Sequence, residues 1–479
     1  MLVHWHRSDL RAPDNEGLRR AAERADGVIP LFVFDEEVLS YGSPPRVAFM
    51  LDALRSLRSW YRERGGDLYL AAGDPSAVLP DLCERLGAEG VVWNRGYSGL
   101  ARERDEAVRA ALDDAGIDHR DHGDALHHEP GSITTNEGEH YSVFTYFWRK
   151  WRDREKADPH DPPPAGALED AGPGEFGAVP DLAALGFDAP EATVEPGGRE
   201  AGRERLESFC AGDIYDYEDR RDYPADGCTS RLSAHLKWGT VGVREVYAAT
   251  EEAMAASDGD GDRESVEEFR SQLAWREFYA HVLRFNPEFV AENFDEYERP
   301  IEWREDDEEL RAWKAGETGY PIVDAGMRQL RAEAYVHNRV RMIVASFLTK
   351  DLLLDWREGY AHFRRYLADH DAASDAGGWQ WAASTGTDAQ PYFRIFNPMR
   401  QGEEYDPEAA YIREHVPELA GVDPETIHSW HELDPAARTE AAPEYPAPIV
   451  DHGERRERAL ATFERARGEG EGEGASGDG

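Results

Sequence analysis

Short apolar runs at residues 2–5, 28–34, 68–72 and 91–94 punctuate the first quarter of the chain, and helical patterns begin between them near Glu16, Arg46, Pro75 and Leu100. Strand and helix in alternation predict a parallel sheet covered on both faces, a doubly wound, Rossmann-like α/β domain over residues 1–130. Within 46–60, Phe49, Leu51, Leu54 and Leu57 form an amphipathic stripe after the start signal Ser43-Pro44-Pro45. Pro, Gly, Ala, Asp and Glu dominate 157–201 without a sustained period, and 131–200 reads as an interdomain linker. Beyond it the patterns are helical. Ser265 and Glu268 make a capping box expected to launch a helix over 269–285, and Tyr320-Pro321 opens another. Val336, Val340, Ile343, Val344, Phe347 and Leu348 are the buried stripe of a third. An all-α domain is expected over 201–465, then a disordered acidic Gly/Glu tail over 466–479.

Composition adds an unusual charge. Asp and Glu outnumber Lys and Arg by 97 to 54, a net charge of -43, and lysines are scarce beside arginines. Such a surface suits a cytoplasm of very high salt, where self-repulsion is screened within a few ångströms. Nucleic-acid binding is not excluded, because phosphate contacts depend on local Lys and Arg. In molar salt such binding rests more on shape, stacking and hydrogen bonds. Cys83, Cys210 and Cys228 show no paired spacing and are expected as reduced thiols. No apolar run reaches membrane-spanning length, and the chain enters a strand directly from Met1. A soluble, cytoplasmic monomer is expected.

Several motif matches lack their context. Gly472, Gly474 and Gly477 fit a dinucleotide pattern with no strand or helix around them. Asp258, Asp260 and Asp262 imitate a calcium loop, but Arg263 and Phe269 stand where its glycine and closing Glu belong, so a solvated acidic loop is expected. His4 with His6, and His127 with His128, read as structural, with no further ligand at metal spacing, and no metal is expected. Other positions carry chemistry. Gln272, Trp275, Arg276 and Tyr279 share one helix face able to grip a flat polar group, or to serve as an interhelical polar seam. Asn338, Arg341, Met342 and Ala345 form a polar wall opposite their apolar stripe. Asp369 and Asp371 can accept hydrogen bonds from sugar hydroxyls or sit as surface charges. Thr229, Ser230, Arg231 and Ser233 combine hydroxyls and a guanidinium as a phosphate cradle, a helix cap, or both. Trp379 and Trp381 stand one residue apart among small residues after Gly377-Gly378, a composition that favours close approach to a planar ligand.

Residues 229–233 (TSRLS), 275–279 (WREFY), 318–325 (TGYPIVDA), 337–342 (HNRVRM) and 378–382 (GWQWA), with the opening 5–11 (WHRSDLR), closely resemble the signature blocks of the photolyase/cryptochrome flavoproteins, most like class I cyclobutane-dimer photolyases. The resemblance implies FAD in the helical domain, held by Tyr217, Thr229, Ser230, Arg231, Leu232, Ser233, Asn338, Arg341, Asp369, Asp371 and Asp375. It implies light-driven splitting of a pyrimidine dimer flipped out of UV-damaged DNA. Trp275 and Trp381 would wall the lesion pocket, with Gln272, Asn338 and Met342 lining it and Arg221, Arg276 and Arg339 touching phosphate or base. Trp303, Trp356 and Trp379 match the family's electron relay.

Three departures qualify this. Gln272 stands where cyclobutane-dimer enzymes usually carry Glu. (6-4) photolyases share that Gln, but they need histidines where this chain has Asn338 and Met342, so cyclobutane dimers are the expected lesion. Asp375 occupies the flavin-N5 position usually held by Asn, a feature of plant cryptochromes that suits blue-light reception as the alternative role. After Tyr97, Leu100 and Ala101 replace the pair that binds folate, so 8-hydroxy-5-deazaflavin near Arg46 is the expected antenna.

Overall fold

A computed structural model describes residues 1–468, and the Gly/Glu tail with its glycine pattern lies outside them apart from Gly468 and the two residues before it. Five strands, β1 (Leu2–His6), β2 (Val28–Phe34), β3 (Tyr69–Ala72), β4 (Gly90–Asn94) and β5 (Asp118–His122), form one parallel sheet in the order β3-β2-β1-β4-β5. Helices α1 (Glu16–Arg24), α2 (Pro44–Arg62), α3 (Pro75–Leu86) and α4 (Gly99–Asp114) connect them. Because successive side chains point to opposite faces, Phe32 and Phe34 pack with Leu51 and Leu54 of α2, while Leu31 and Val33 pack with Leu79 and Val108 of α3 and α4. The sequence pattern missed β5. Its Asp-His-Arg-Asp-His is an edge strand with no apolar signature, recruited by pairing with β4.

The stretch read as linker contains helix α5 (Phe144–Asp153), whose Phe144, Phe147 and Trp151 are buried. Its end is closed by Lys156, whose amine donates to the carbonyls of Trp151, Arg152 and Arg154 and lies 3.8 Å from the Trp151 ring centre. Next come α6 (Ser233–Trp238), α7 (Asp260–Phe285), α8 (Pro321–Glu333), α9 (Asn338–Ser346), α10 (Trp356–Tyr366), α11 (Ala372–Ala383) and α12 (His452–Ala466). Helix α7 starts nine residues before the expected 269. Asp260 and Asp262 lie in its first turn, where negative charge meets the helix dipole, and are not a free acidic loop. Ser265 is no cap: it donates to the Ile214 carbonyl at 2.8 Å and accepts from Glu218 N–H.

By contact density the chain forms two compact units. One comprises Met1–Asp219, Thr229–Pro287 and Tyr366–Ala373; the other comprises Arg220–Cys228, Glu288–Arg365 and the chain from Ser374 onward. The first therefore holds the sheet together with α6 and α7. A buried network binds it: Asp124 takes hydrogen bonds from Arg11 at 2.7 Å and Arg244 at 2.6 Å, and Asp14 pairs with the same arginines. Pairing two guanidinia with two carboxylates offsets the desolvation that either charge alone would suffer. Among the described residues, no helix is long and apolar enough to cross a membrane.

Candidate flavin and DNA-lesion site

In the first unit, the 229–233 segment turns through Arg231, a non-glycine residue at φ 48° whose guanidinium pairs with Glu195 at 2.9 Å. Leu232 caps α6 without a side-chain bond, so helix capping does not account for the hydroxyls of Thr229, Ser230 and Ser233. Ser230 Oγ accepts the Leu232 N–H at 3.4 Å. Tyr217 is buried edge-on against Phe209 and Phe269. Asp369 is buried and Asp371 half-buried in the segment before α11. This donor set fits a flavin dinucleotide: hydroxyls and a guanidinium for phosphates, carboxylates for sugar hydroxyls.

On α7, Gln272, Trp275 and Arg276 are half-buried and Tyr279 is buried. Gln272 Nε2 donates to Ser271 Oγ at 2.9 Å and to Glu268 Oε1 at 3.2 Å. Arg276 is spent on the carbonyls of Ala125 at 2.6 Å and Leu236 at 3.3 Å. Trp275 lies face to face with Phe144 of α5 at 3.7 Å between ring centres. The sequence reading passed over Glu277. Fully buried, it accepts from the backbone N–H groups of His127 and His128 and from Trp151 Nε1, tying α7 to the 126–132 loop and α5. Burial pushes its carboxyl up to about 7, against those hydrogen bonds and nearby Arg276.

In the second unit, α9 opens on His337, whose Nδ1 accepts the Arg339 N–H at 3.2 Å. Burial pushes that imidazole down to about 4, keeping it a neutral acceptor. Asn338 is exposed, with its amide 3.8 Å from Met342 Sδ. Arg339 pairs with Asp222 and lies 4.2 Å over the Tyr405 ring, and Arg221 is half-buried. Arg341 donates to the Val336 carbonyl and stands 3.7 Å from Asp375 Oδ1, so the two expected cofactor residues meet as an ion pair.

Helix α11 carries both signature indoles. Between them Gln380, fully buried, donates to the carbonyls of Phe289 at 2.6 Å and Glu292 at 3.0 Å and accepts from Phe294 N–H at 2.9 Å. That clamp sets the register of both tryptophans. Past its end, Ser384 adopts φ 64° and Lys350, a lysine buried in the preceding π-helical turn, donates to Ala383 O and Ser384 Oγ. Burial drives its amine well below the ordinary range. Trp379 is buried against Phe363 at 5.1 Å and Trp313 at 6.0 Å, and a Cβ on Gly359 would lie 2.1 Å from its indole. Trp381 is half-buried. Trp356 is fully buried and donates to Asn293 Oδ1, while half-buried Trp303 meets Phe463 at 6.0 Å. Among the described residues, none of Trp303, Trp356 and Trp379 is in ring contact with another.

One expectation needs correcting. His4 and His6 do have a neighbouring carboxylate: the turn after β1 brings Asp9 Oδ2 within 3.4 Å of both. That oxygen already accepts from Asn15 at 2.8 Å and Asn94 at 2.6 Å, which makes the cluster a hydrogen-bonded hub.

Comparison with known proteins gives the family. Residues 2–167 match the DNA photolyase family model, and residues 269–465 match the FAD binding domain of DNA photolyase. A deoxyribodipyrimidine photo-lyase of Halobacterium salinarum is 60% identical, covering 98% of this chain and 100% of its own. A bacterial class III photolyase from Agrobacterium tumefaciens has a similar crystal structure, with TM-score 0.88, 38% identity and 98% coverage of each chain. An archaeal photolyase from Sulfolobus tokodaii, solved with two FAD molecules, matches at TM-score 0.81 and 33% identity, over 97% of this chain and 99% of its own. The chain belongs to the DNA photolyase family.

Proposed function

We propose that this protein is a light-dependent DNA repair flavoenzyme, a deoxyribodipyrimidine photo-lyase acting on cyclobutane pyrimidine dimers in UV-damaged DNA. The observation that carries it is full-length 60% identity to a deoxyribodipyrimidine photo-lyase. Bound FAD supplies the light-excited electron donor that opening a cyclobutane ring requires. The chain's own residues bind and orient. Thr229, Ser230, Arg231, Leu232 and Ser233 with Tyr217 hold the phosphates and ribityl chain. Asn338, Arg341, Asp369, Asp371 and Asp375 are assigned to the same cofactor. Trp275 and Trp381 offer indole faces to a dinucleotide that has left the helix stack, a step cheaper for a damaged pair than for normal bases. Gln272 donates an amide hydrogen bond to a base carbonyl at any pH, and Asn338 and Met342 fill the remaining wall. Arg221 and Arg339 meet phosphate or base, and Arg276 does so by exchanging its bonds to the Ala125 and Leu236 carbonyls. Arg339 reaches phosphate by exchanging Asp222. Trp303, Trp356 and Trp379 are assigned as the relay that would pass electrons toward a bound FAD. A second chromophore, 8-hydroxy-5-deazaflavin in preference to folate, is assigned near Arg46. Its support is that the Tyr97 hydroxyl is engaged by Glu129 at 2.9 Å and that Leu100 and Ala101 bring no folate-binding pair.

Illumination of the reduced protein with a dimer-containing oligonucleotide should restore the monomer bases, and a reaction equal to the dark control would sink the proposal. Trp275→Ala should weaken dimer binding about tenfold to a hundredfold while flavin content holds, as loss of one base stack predicts. A photoreceptor role is favoured only by Asp375. Asp375→Asn should keep repair; loss of repair would give the carboxylate a catalytic part.

A further inference from the structure

Trp275 is proposed above as a wall of the lesion pocket, and the first unit shows what holds it. Phe144, only 8% exposed, covers one indole face at 3.7 Å with ring planes 9° apart. Phe278 meets the indole edge-on at 5.5 Å and 87°, and Tyr279 lies 5.5 Å away at 34°. An indole on a helix surface turns about two soft torsions, and a base stacking on it would otherwise bear the entropy of fixing them. A parallel ring already in van der Waals contact removes that freedom before substrate arrives. The same closure is selective, because a gap of 3.7 Å between ring centres admits no base between Phe144 and Trp275. Only the opposite face is left for a ligand.

From this closed stack we infer that Phe144 is a positioning residue for lesion recognition: helix α5 presents a ring that pre-orients Trp275 and restricts pyrimidine-dimer stacking to one indole face. The inference rests on the pocket reading of Trp275 but concerns a residue 131 positions away, within the 131–200 stretch that the sequence alone assigns to an interdomain linker.

The test uses the flavin-loaded full chain with a thymine-dimer oligonucleotide and its undamaged counterpart. Phe144→Leu and Phe144→Met keep apolar volume and lose the planar ring. Each should raise KM for the dimer about tenfold, with kcat at saturating substrate within twofold and flavin content unchanged. Phe144→Tyr, which keeps the ring, should restore the wild-type KM. In a Trp275→Ala background the Phe144→Leu change should add nothing, since the positioned ring is gone. An unchanged KM in Phe144→Leu and Phe144→Met, where Trp275→Ala raises it, would overturn the positioning role and leave the pocket standing. A further loss in the Trp275→Ala background would assign Phe144 to general packing and likewise overturn it. An unchanged KM in Trp275→Ala alone would remove the pocket reading and this inference together.

Discussion

Trp275 and Trp381 are both half-buried indoles on helices, yet Trp275 is gripped by rings, with Phe144 stacked at 3.7 Å, whereas the nearest ring described for Trp381 is Phe396 at 6.4 Å. Trp381 is positioned through its backbone. Its neighbour Gln380 makes three hydrogen bonds to main-chain groups, one of them buried, and its own carbonyl accepts from Ser384 and Gln390. Stacking orients one side chain and leaves its helix alone. A main-chain clamp fixes a whole helix, so Trp379 and Trp381 stand or fall together.

The sharpest way to break this contrast is Gln380→Ala. It removes one buried and two partly buried hydrogen bonds, opens a cavity where a fully buried side chain stood, and should cost on the order of 3–5 kcal/mol of unfolding free energy, seen as a lower denaturant midpoint. Photoreduction, proposed to run through Trp379, and dimer binding, proposed at Trp381, should fall in parallel; a loss confined to one would show that the clamp does not set the register. A smaller effect belongs to the Trp275 side. The Glu277 carboxyl, raised to about 7, favours its protonated form in the fold. Its contribution is therefore fully present below the ordinary carboxylate range and is lost as pH rises through about 7, by up to about 3 kcal/mol. Melting curves from pH 4.5 to 8 should show that decline, and Glu277→Gln should flatten it; an unchanged slope would place the pH dependence elsewhere. The smallest expected effect is Gly359→Ala. Its new Cβ would meet Cη2 of Trp379 at 2.1 Å, an overpacking worth about 1–3 kcal/mol. Photoreduction should slow while dimer affinity at Trp275 stays as it was, and a drop in that affinity would mean the two indoles are held by one network.

Much of this protein was determined by its sequence alone. Apolar periodicity marked four of the five strands and the helices joining them, since a strand buried on both faces must be continuously hydrophobic. The signature blocks pointed to the family and proposed its flavin and pocket residues, because chemistry restricts which side chains serve. Tertiary structure decided the rest. Strand β5 exists because β4 offers it a ladder, not because Asp118 to His122 has an apolar pattern. The start of α7 lies at Asp260 because packing and the helix dipole carried helix past the local cap signal at Ser265. Phe144, Gly359, Glu277 and Gln380 act only through partners tens to more than a hundred residues distant. No local pattern encodes such a contact, because ring stacking, close approach and buried hydrogen bonding depend on distances that exist only once the chain has folded.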